Sequence, residues 1–295
     1  MPLETLPPID REVARKLMEI ESLPTLPAVM HQLLECVQDE DTSAEDVTAL
    51  VERDVAMSAR ILRLANSAFF GLRHKVDTVR RAVVVVGFDT VRMLALAMSV
   101  FDALGRHQPL ALDPEEFWLH SLGSGKAAQW LAAEVSGVES AGSCFTAGLL
   151  HDVGKYFLAL ALKEEYVRVV ACARETCQNM QRVESGMIGM THADASWWMA
   201  KKWSLPANIS DALGFQGRSE VYQGCHWREV AIVELASDIA RAAQFGLAAD
   251  YAPVEFPGTA GERLGLTQAR IADGIAHLSG YEDEAKQFLE TLRNP

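Results

Sequence analysis

The sequence predicts an all-α protein, and three observations carry that expectation. Apolar residues recur at three- and four-residue spacing through almost every segment, which is the period of an amphipathic helix. The segments are separated by Gly, Pro, Asp and Ser, the residues that start and stop helices. A hydrophobic content of 49% over 295 residues is enough to bury one large core or two modest ones.

Taken in order, Asp10 caps a first helix over 10–19. The run Leu23-Pro24-Thr25-Leu26-Pro27 then forces an extended turn, because neither proline donates an amide and each restricts the residue before it. A second helix is expected over 28–37. The acidic run Asp39-Glu40-Asp41 is a solvated turn, and Ser43 with Asp46 three residues on caps a helix ending near Arg53. Asp54 caps the next, which carries Ile61, Leu62, Leu64 and Ala65. Residues 66–71 read as a helix end, with Gly71 as a left-handed cap. Residues 76–86 are rich in β-branched side chains, but Thr78 as a cap and the helical neighbours favour helix. Asp89 caps a helix through Val100. The looser stretch 105–114, which holds Pro109 and Pro114, marks the main internal boundary.

The second half opens with helix 115–135, which carries His120, followed by 144–162, which carries His151-Asp152, and by a polar helix over 164–178. His192 begins a helix that ends at Trp203, Leu205-Pro206 breaks the chain, and a short helix covers 208–213. Helix 228–245 contains Asp238. Residues 250–261 are loop, and helices over 267–278 and 282–292 complete the chain. Trp197, Trp198 and Trp203 are expected to pack helices together.

Composition also excludes some functions. A formal charge of −13 argues against binding to a phosphate backbone, which needs clustered Lys and Arg, so no direct nucleic-acid partner is expected. The first fifteen residues hold acids and prolines where a secretion signal would hold a basic start and an apolar run. The apolar stretches 82–86 and 94–100 are too short to span a bilayer. A cytoplasmic location without membrane contact is therefore expected. The five cysteines, Cys36, Cys144, Cys172, Cys177 and Cys225, contain no CxxC pair, so neither a disulfide framework nor a zinc knuckle is indicated. Most are expected to be buried thiols.

The chemistry concentrates in four polar residues on otherwise apolar helices: His120, His151, Asp152 and Asp238. Neutral imidazoles and carboxylates suit Fe, Mn, Zn or Mg, and a bound divalent ion lowers the pKa of its water. Lys155 lies one turn after His151 and is placed to meet a substrate phosphate as a point charge. His192 is a candidate ligand for a second metal. Against this stands a plainer reading, in which each histidine is a hydrogen-bonded core residue and Asp238 neutralises Arg241.

The order His, His-Asp, Asp resembles the HD superfamily of metal-dependent phosphohydrolases. The first half sharpens the resemblance: residues 23–27, then 54–68, then 78–87 ending in Val-Gly, look like the HDOD family. Phe117-Trp118-Leu119-His120-Ser121, residues 147–155, His192-Ala193-Asp194 and Trp203-Ser204-Leu205-Pro206 agree. The resemblance covers about 18–216. It implies an HD-like helical bundle preceded by a packed N-terminal helical subdomain, with 18–108 as the N-terminal half, 109–216 as the HD-like half, and 217–295 completing that half. It further implies a bacterial signalling module that is regulatory because its hydrolase ligand set is incomplete. After Leu205-Pro206, HD-GYP phosphodiesterases and many HDOD members carry a His-His pair. Here the matching stretch reads Ala212-Leu213-Gly214-Phe215-Gln216-Gly217, without an imidazole.

The expectation is a regulatory protein working through contacts with signalling proteins, such as two-component or cyclic-dinucleotide pathway components. It would retain a single-metal site at His120, His151, Asp152 and Asp238, with no other cofactor. The rival is a single-metal phosphohydrolase acting on a nucleotide or cyclic nucleotide, with Lys155 on phosphate. A third reading has the old cavity binding a nucleotide without turnover.

Overall fold

Asp54, Thr78, Asp113, Ser140, Asn179, Thr191 and Thr267 each accept a backbone amide from two or three residues on, and a helix follows each of them. The computed structural model describes residues 44–72, 74–87, 91, 95, 98, 101, 111–138 and 140–293. The expected helices over 10–19 and 28–37, the turn over 23–27, the acidic run over 39–41, the Ser43 cap and Cys36 lie outside the described residues, as does most of the stretch over 89–110.

The described helices are α1 (Ala44–Glu52), α2 (Val55–Ala65), α3 (Val79–Val86), α4 (Pro114–Glu134), α5 (Ala141–Leu150), α6 (Val153–Leu162) and α7 (Glu164–Thr176). They continue with α8 (Met180–Ile188), α9 (His192–Lys202), α10 (Ala207–Phe215), α11 (Trp227–Ala242), α12 (Gly258–Arg263), α13 (Gln268–Ser279) and α14 (Glu282–Arg293). Among the described residues there is no strand. The protein is all-α, as its periodicity predicts.

The valine-rich segment is helix α3. Val79, Ala82 and Val83 share a buried face against α1 and α2, and Thr78 accepts the Arg81 amide, so tertiary burial outweighs the modest helix propensity of valine. Val91, Ala95, Met98 and Phe101 are helical and buried. Asn66 clamps the end of α2: its amide nitrogen donates to the Leu62 and Val76 carbonyls, and its oxygen accepts the Val76 amide. Gly71 ends the following 3-10 turn (Ala68–Phe70) at φ +60°, which confirms its capping role.

In the second half α4 packs along α5 and α11, α9 packs on α6 and α10, and α10 reaches α5 and α11. Trp203 is buried edge-on against Phe157. The last helix, α14, lies on α2, α4 and the 3-10 turn. There Phe288 meets Phe69 with ring centroids 5.1 Å apart, and Arg60 donates to the Leu292 carbonyl at 3.2 Å. One buried apolar cluster runs from Val47 to Leu292.

Three local expectations differ. The segment 144–162 is two helices that part at His151-Asp152, for reasons given below. Residues 250–261 are not all loop, since α12 begins at Gly258. Of the four described cysteines only Cys144 is buried, while Cys172 is half-buried and Cys177 and Cys225 are exposed. Helix α8, which the sequence reading does not assign, begins after Asn179, whose side chain caps the Arg182 amide. No helix among the described residues is long and apolar enough to cross a membrane.

Candidate metal centre

Glycine sets the spacing of the helices that carry the site. A Cβ on Gly148 of α5 would stand 2.7 Å from the Ser124 carbonyl oxygen and 2.9 Å from the Gly125 Cα of α4, so the two helices cross backbone to backbone. That crossing brings His120, one turn before Ser124, beside His151, with ring centroids 5.2 Å apart. A Cβ on Gly154 would overlap the His192 carbonyl oxygen, so α6 lies directly on the start of α9. Two helix crossings and the joint between α5 and α6 thus gather His120, His151-Asp152 and His192.

The His-Asp pair sits where α5 ends and α6 begins because its backbone groups find partners elsewhere. The His151 carbonyl accepts from Ser196 Oγ at 2.9 Å and from the Gln216 side-chain amide. The Gly154 amide donates to Ser196 Oγ at 2.8 Å. Asp152, at φ −93° and ψ 3°, leaves helical geometry and precedes α6. Its carboxylate is therefore not spent on capping and points into the cluster.

Asp152 Oδ2 lies 3.4 Å from His151 Nε2, 3.7 Å from His120 Nε2 and 2.7 Å from Lys155 Nζ, while Oδ1 lies 3.4 Å from His192 Nε2. His151 Nδ1 stands 2.6 Å from the Gly148 carbonyl, to which it can only donate, so Nε2 carries a lone pair; that atom is buried without a hydrogen-bond partner. His120 Nε2 faces Ser237 Oγ at 3.2 Å and Ser124 Oγ at 3.4 Å. His120, His151, Asp152 and Lys155 are each 1% exposed.

Burial, reinforced by His151, holds the His120 imidazole well below its ordinary value, and burial also lowers His151. Both are neutral at physiological pH. Burial pushes the Asp152 carboxyl up, but His151, Lys155, His192 and His120 together outweigh it and hold the group far below the usual carboxylate range. The result is two neutral imidazoles and one carboxylate with donor atoms all within 4.8 Å of one another. The separations from His151 and His120 to Asp152 are those of ligands sharing one ion at about 2.1 Å. The unpartnered Nε2 of His151 fits the same role, so the trio fits a single divalent ion.

The other expected site residues fall differently. Asp238 stands on α11 next to Ser237 but outside the trio, with Oδ1 3.8 Å from the Arg241 guanidinium. Arg241 in turn pairs with Asp250 at 3.1 Å. Burial raises the Asp238 carboxyl to about 7. Lys155 is buried and donates to Asp152 and, at 3.0 Å, to the Ala248 carbonyl. His192 joins the cluster on the Oδ1 side.

Two neighbours escaped the sequence reading. Gln216, in the stretch that matches the His-His pair of HD-GYP phosphodiesterases, binds the His151 carbonyl. Glu184 on α8 is fully buried and holds His192. The Asn179 cap was the only local signal for its helix.

The family model described as HDOD domain matches residues 23–218. An HDOD domain protein of unknown function from Geobacter sulfurreducens superposes with a TM-score of 0.79 at 25% identity, covering 95% of this chain and 97% of that one. Two further structures share the fold at 21% identity. One, from Marinobacter aquaeolei VT8, is named provisionally as a signal transduction protein, with a TM-score of 0.78 over 92% of this chain and 60% of that one. The other, from Shewanella amazonensis SB2B, is named provisionally as a phosphohydrolase, with a TM-score of 0.70 over 96% and 98%. The chain spans only 38% of the length of the Treponema pallidum protein it matches at 24% identity.

Proposed function

The chain belongs to the HDOD domain family, and on that premise we propose that it is a regulatory module of bacterial signalling rather than a hydrolase. It acts through contacts with signalling proteins of the two-component or cyclic-dinucleotide kind. Its unit is an HDOD domain over 18–216, with the helices of 217–295 completing the HD-like half. The HD-type centre serves as a polar keystone joining α4, α5, α6 and α9. One observation carries this reading: the Lys155 ammonium, itself 1% exposed, holds Asp152 Oδ2 at 2.7 Å. A hydrolase needs that oxygen free for the metal and the metal open to substrate and water. Here an internal cation neutralises the carboxylate, and the side chains around it are sealed from solvent.

His120, His151 and Asp152 would hold one divalent ion, with Asp238 and His192 as further candidates. In an HD-type site such an ion supplies charge to activate water and to stabilise phosphate. The three buried donors and the unpartnered His151 Nε2 favour a second reading, in which this site is a single-metal phosphohydrolase acting on a nucleotide or cyclic nucleotide. The test is elemental analysis of the purified chain together with a phosphatase and phosphodiesterase screen in added Mn2+ and Mg2+. The regulatory reading expects no turnover. Turnover that disappears in Asp152→Ala overturns it.

A further inference from the structure

The far side of the centre is built by a residue that plays no part in the trio. Glu184 Oε2 accepts two hydrogen bonds from one residue, the His192 backbone amide at 2.8 Å and its ring Nδ1 at 2.7 Å. The other oxygen, Oε1, accepts from the Tyr166 hydroxyl at 2.6 Å. Glu184 and Tyr166 are both fully buried and His192 is nearly so. Among the described residues no Lys or Arg pairs with Glu184. A carboxylate can only accept, so His192 Nδ1 carries a proton, and in the neutral ring Nε2 is left with a bare lone pair. That lone pair faces Asp152 Oδ1 across 3.4 Å. Two acceptors looking at each other in a dry interior repel unless a proton or a metal ion lies between them, and the neutral ring leaves that place to a metal ion.

We propose that Glu184 is the positioning residue of this centre: it locks His192 as the Nδ1–H tautomer and so makes His192 a ligand for a divalent cation held on Asp152. Tyr166 fixes the carboxylate from behind. The ligand part of this proposal rests on the metal-binding reading above, whereas the tautomer part does not. Carboxylate partners of metal-bound histidines act in this way, and losing one costs about 10- to 100-fold in metal affinity.

The experiment uses the whole chain, stripped with chelator and titrated with Mn2+ by calorimetry, with His192 nitrogen shifts read by 15N NMR and assigned through His192→Gln. In the wild type the expected signals are a protonated Nδ1 and a bare Nε2. Glu184→Leu, which removes the acceptor, is expected to free the ring for the Nε2–H form and to weaken Mn2+ by about 10- to 100-fold. Tyr166→Phe, which keeps both Glu184–His192 bonds, should weaken it far less. A wild-type His192 protonated on Nε2 overturns the positioning role, and this needs no variant to fold. A folded Glu184→Leu with unchanged tautomer and affinity overturns it too. A wild type that keeps the Nδ1–H tautomer but binds no Mn2+ overturns the metal reading and the ligand role, while leaving the tautomer lock standing.

Discussion

Gly154→Ala tests the packing on which the centre depends. The added methyl group would overlap the His192 carbonyl oxygen and stand 2.8 Å from the Ser196 amide, both on the backbone of α9, where no side chain can swing away. Overpacking against rigid backbone costs about 1–3 kcal/mol. Pushing α6 off α9 also breaks the bridge in which Ser196 Oγ accepts from Gly154 N and donates to the His151 carbonyl, at about 1 kcal/mol for each bond. Against this, alanine gains up to about 1 kcal/mol over glycine in helix propensity. The net destabilisation is about 2–4 kcal/mol. At ~2–4 °C per kcal/mol for a chain of this size, the melting temperature should fall by roughly 4–16 °C. Thermal denaturation followed by circular dichroism in chelator measures it. Ser196→Ala, which removes the bridge without a clash, should account for about 2 kcal/mol of the loss. A Gly154→Ala chain that melts with the wild type would refute the close approach of α6 and α9, and with it the placement of His192.

Three further outcomes follow from the same geometry. Lys155→Met leaves the Asp152 carboxylate buried without its ammonium, so it should cost about 3–5 kcal/mol. Millimolar Mn2+ should raise the melting temperature of this variant more than that of the wild type; equal responses would show that Lys155 does not compete with a cation. Gln216→Ala should cost about 1 kcal/mol in urea denaturation, because the His151 carbonyl keeps its bond to Ser196; a loss several times larger would show that Gln216 supports more than that carbonyl. Asp238 supplies a pH dependence. Its folded-state value of about 7 lies above the ordinary 3.8, so folding is unhindered while the acid is protonated and loses stability as pH rises from about 4 through 7. The side chain is 32% exposed, which discounts the effect to about 1 kcal/mol. In chelator, Asp238→Asn should therefore be more stable than wild type at pH 8 and equal to it near pH 4, and the same gain at both would refute the raised value.

What the sequence could and could not reveal divides along the range of the interactions. Asp54, Thr78 and Thr267 cap helices through atoms three residues away, so the helices they open are readable from the chain alone. The break at His151-Asp152 is not, because it depends on Ser196 and Gln216, which lie 45 and 65 residues further on. The residues before the pair, Cys144 to Leu150, hold Thr146 as their one polar side chain, and with the apolar run after Asp152 they read as continuous helix. The trio is half legible: the adjacent pair is evident, but choosing His120 over Asp238 as its neighbour requires the Gly148–Gly125 crossing. The comparison of Gln216 with a missing imidazole shows the same limit from the other side. As a sequence feature the stretch 212–217 is a loss of two ligands, whereas in the fold Gln216 is a gain, an amide that holds open the carbonyl at the joint on which Asp152 turns inward. Any stable fold must keep that buried carbonyl bonded and give the fully buried Glu184 its partners, and here Gln216, Ser196, His192 and Tyr166 supply them. Both features preserve the direction in which side chains face Asp152, and that orientation is what a keystone of four helices needs whether or not an ion sits within it.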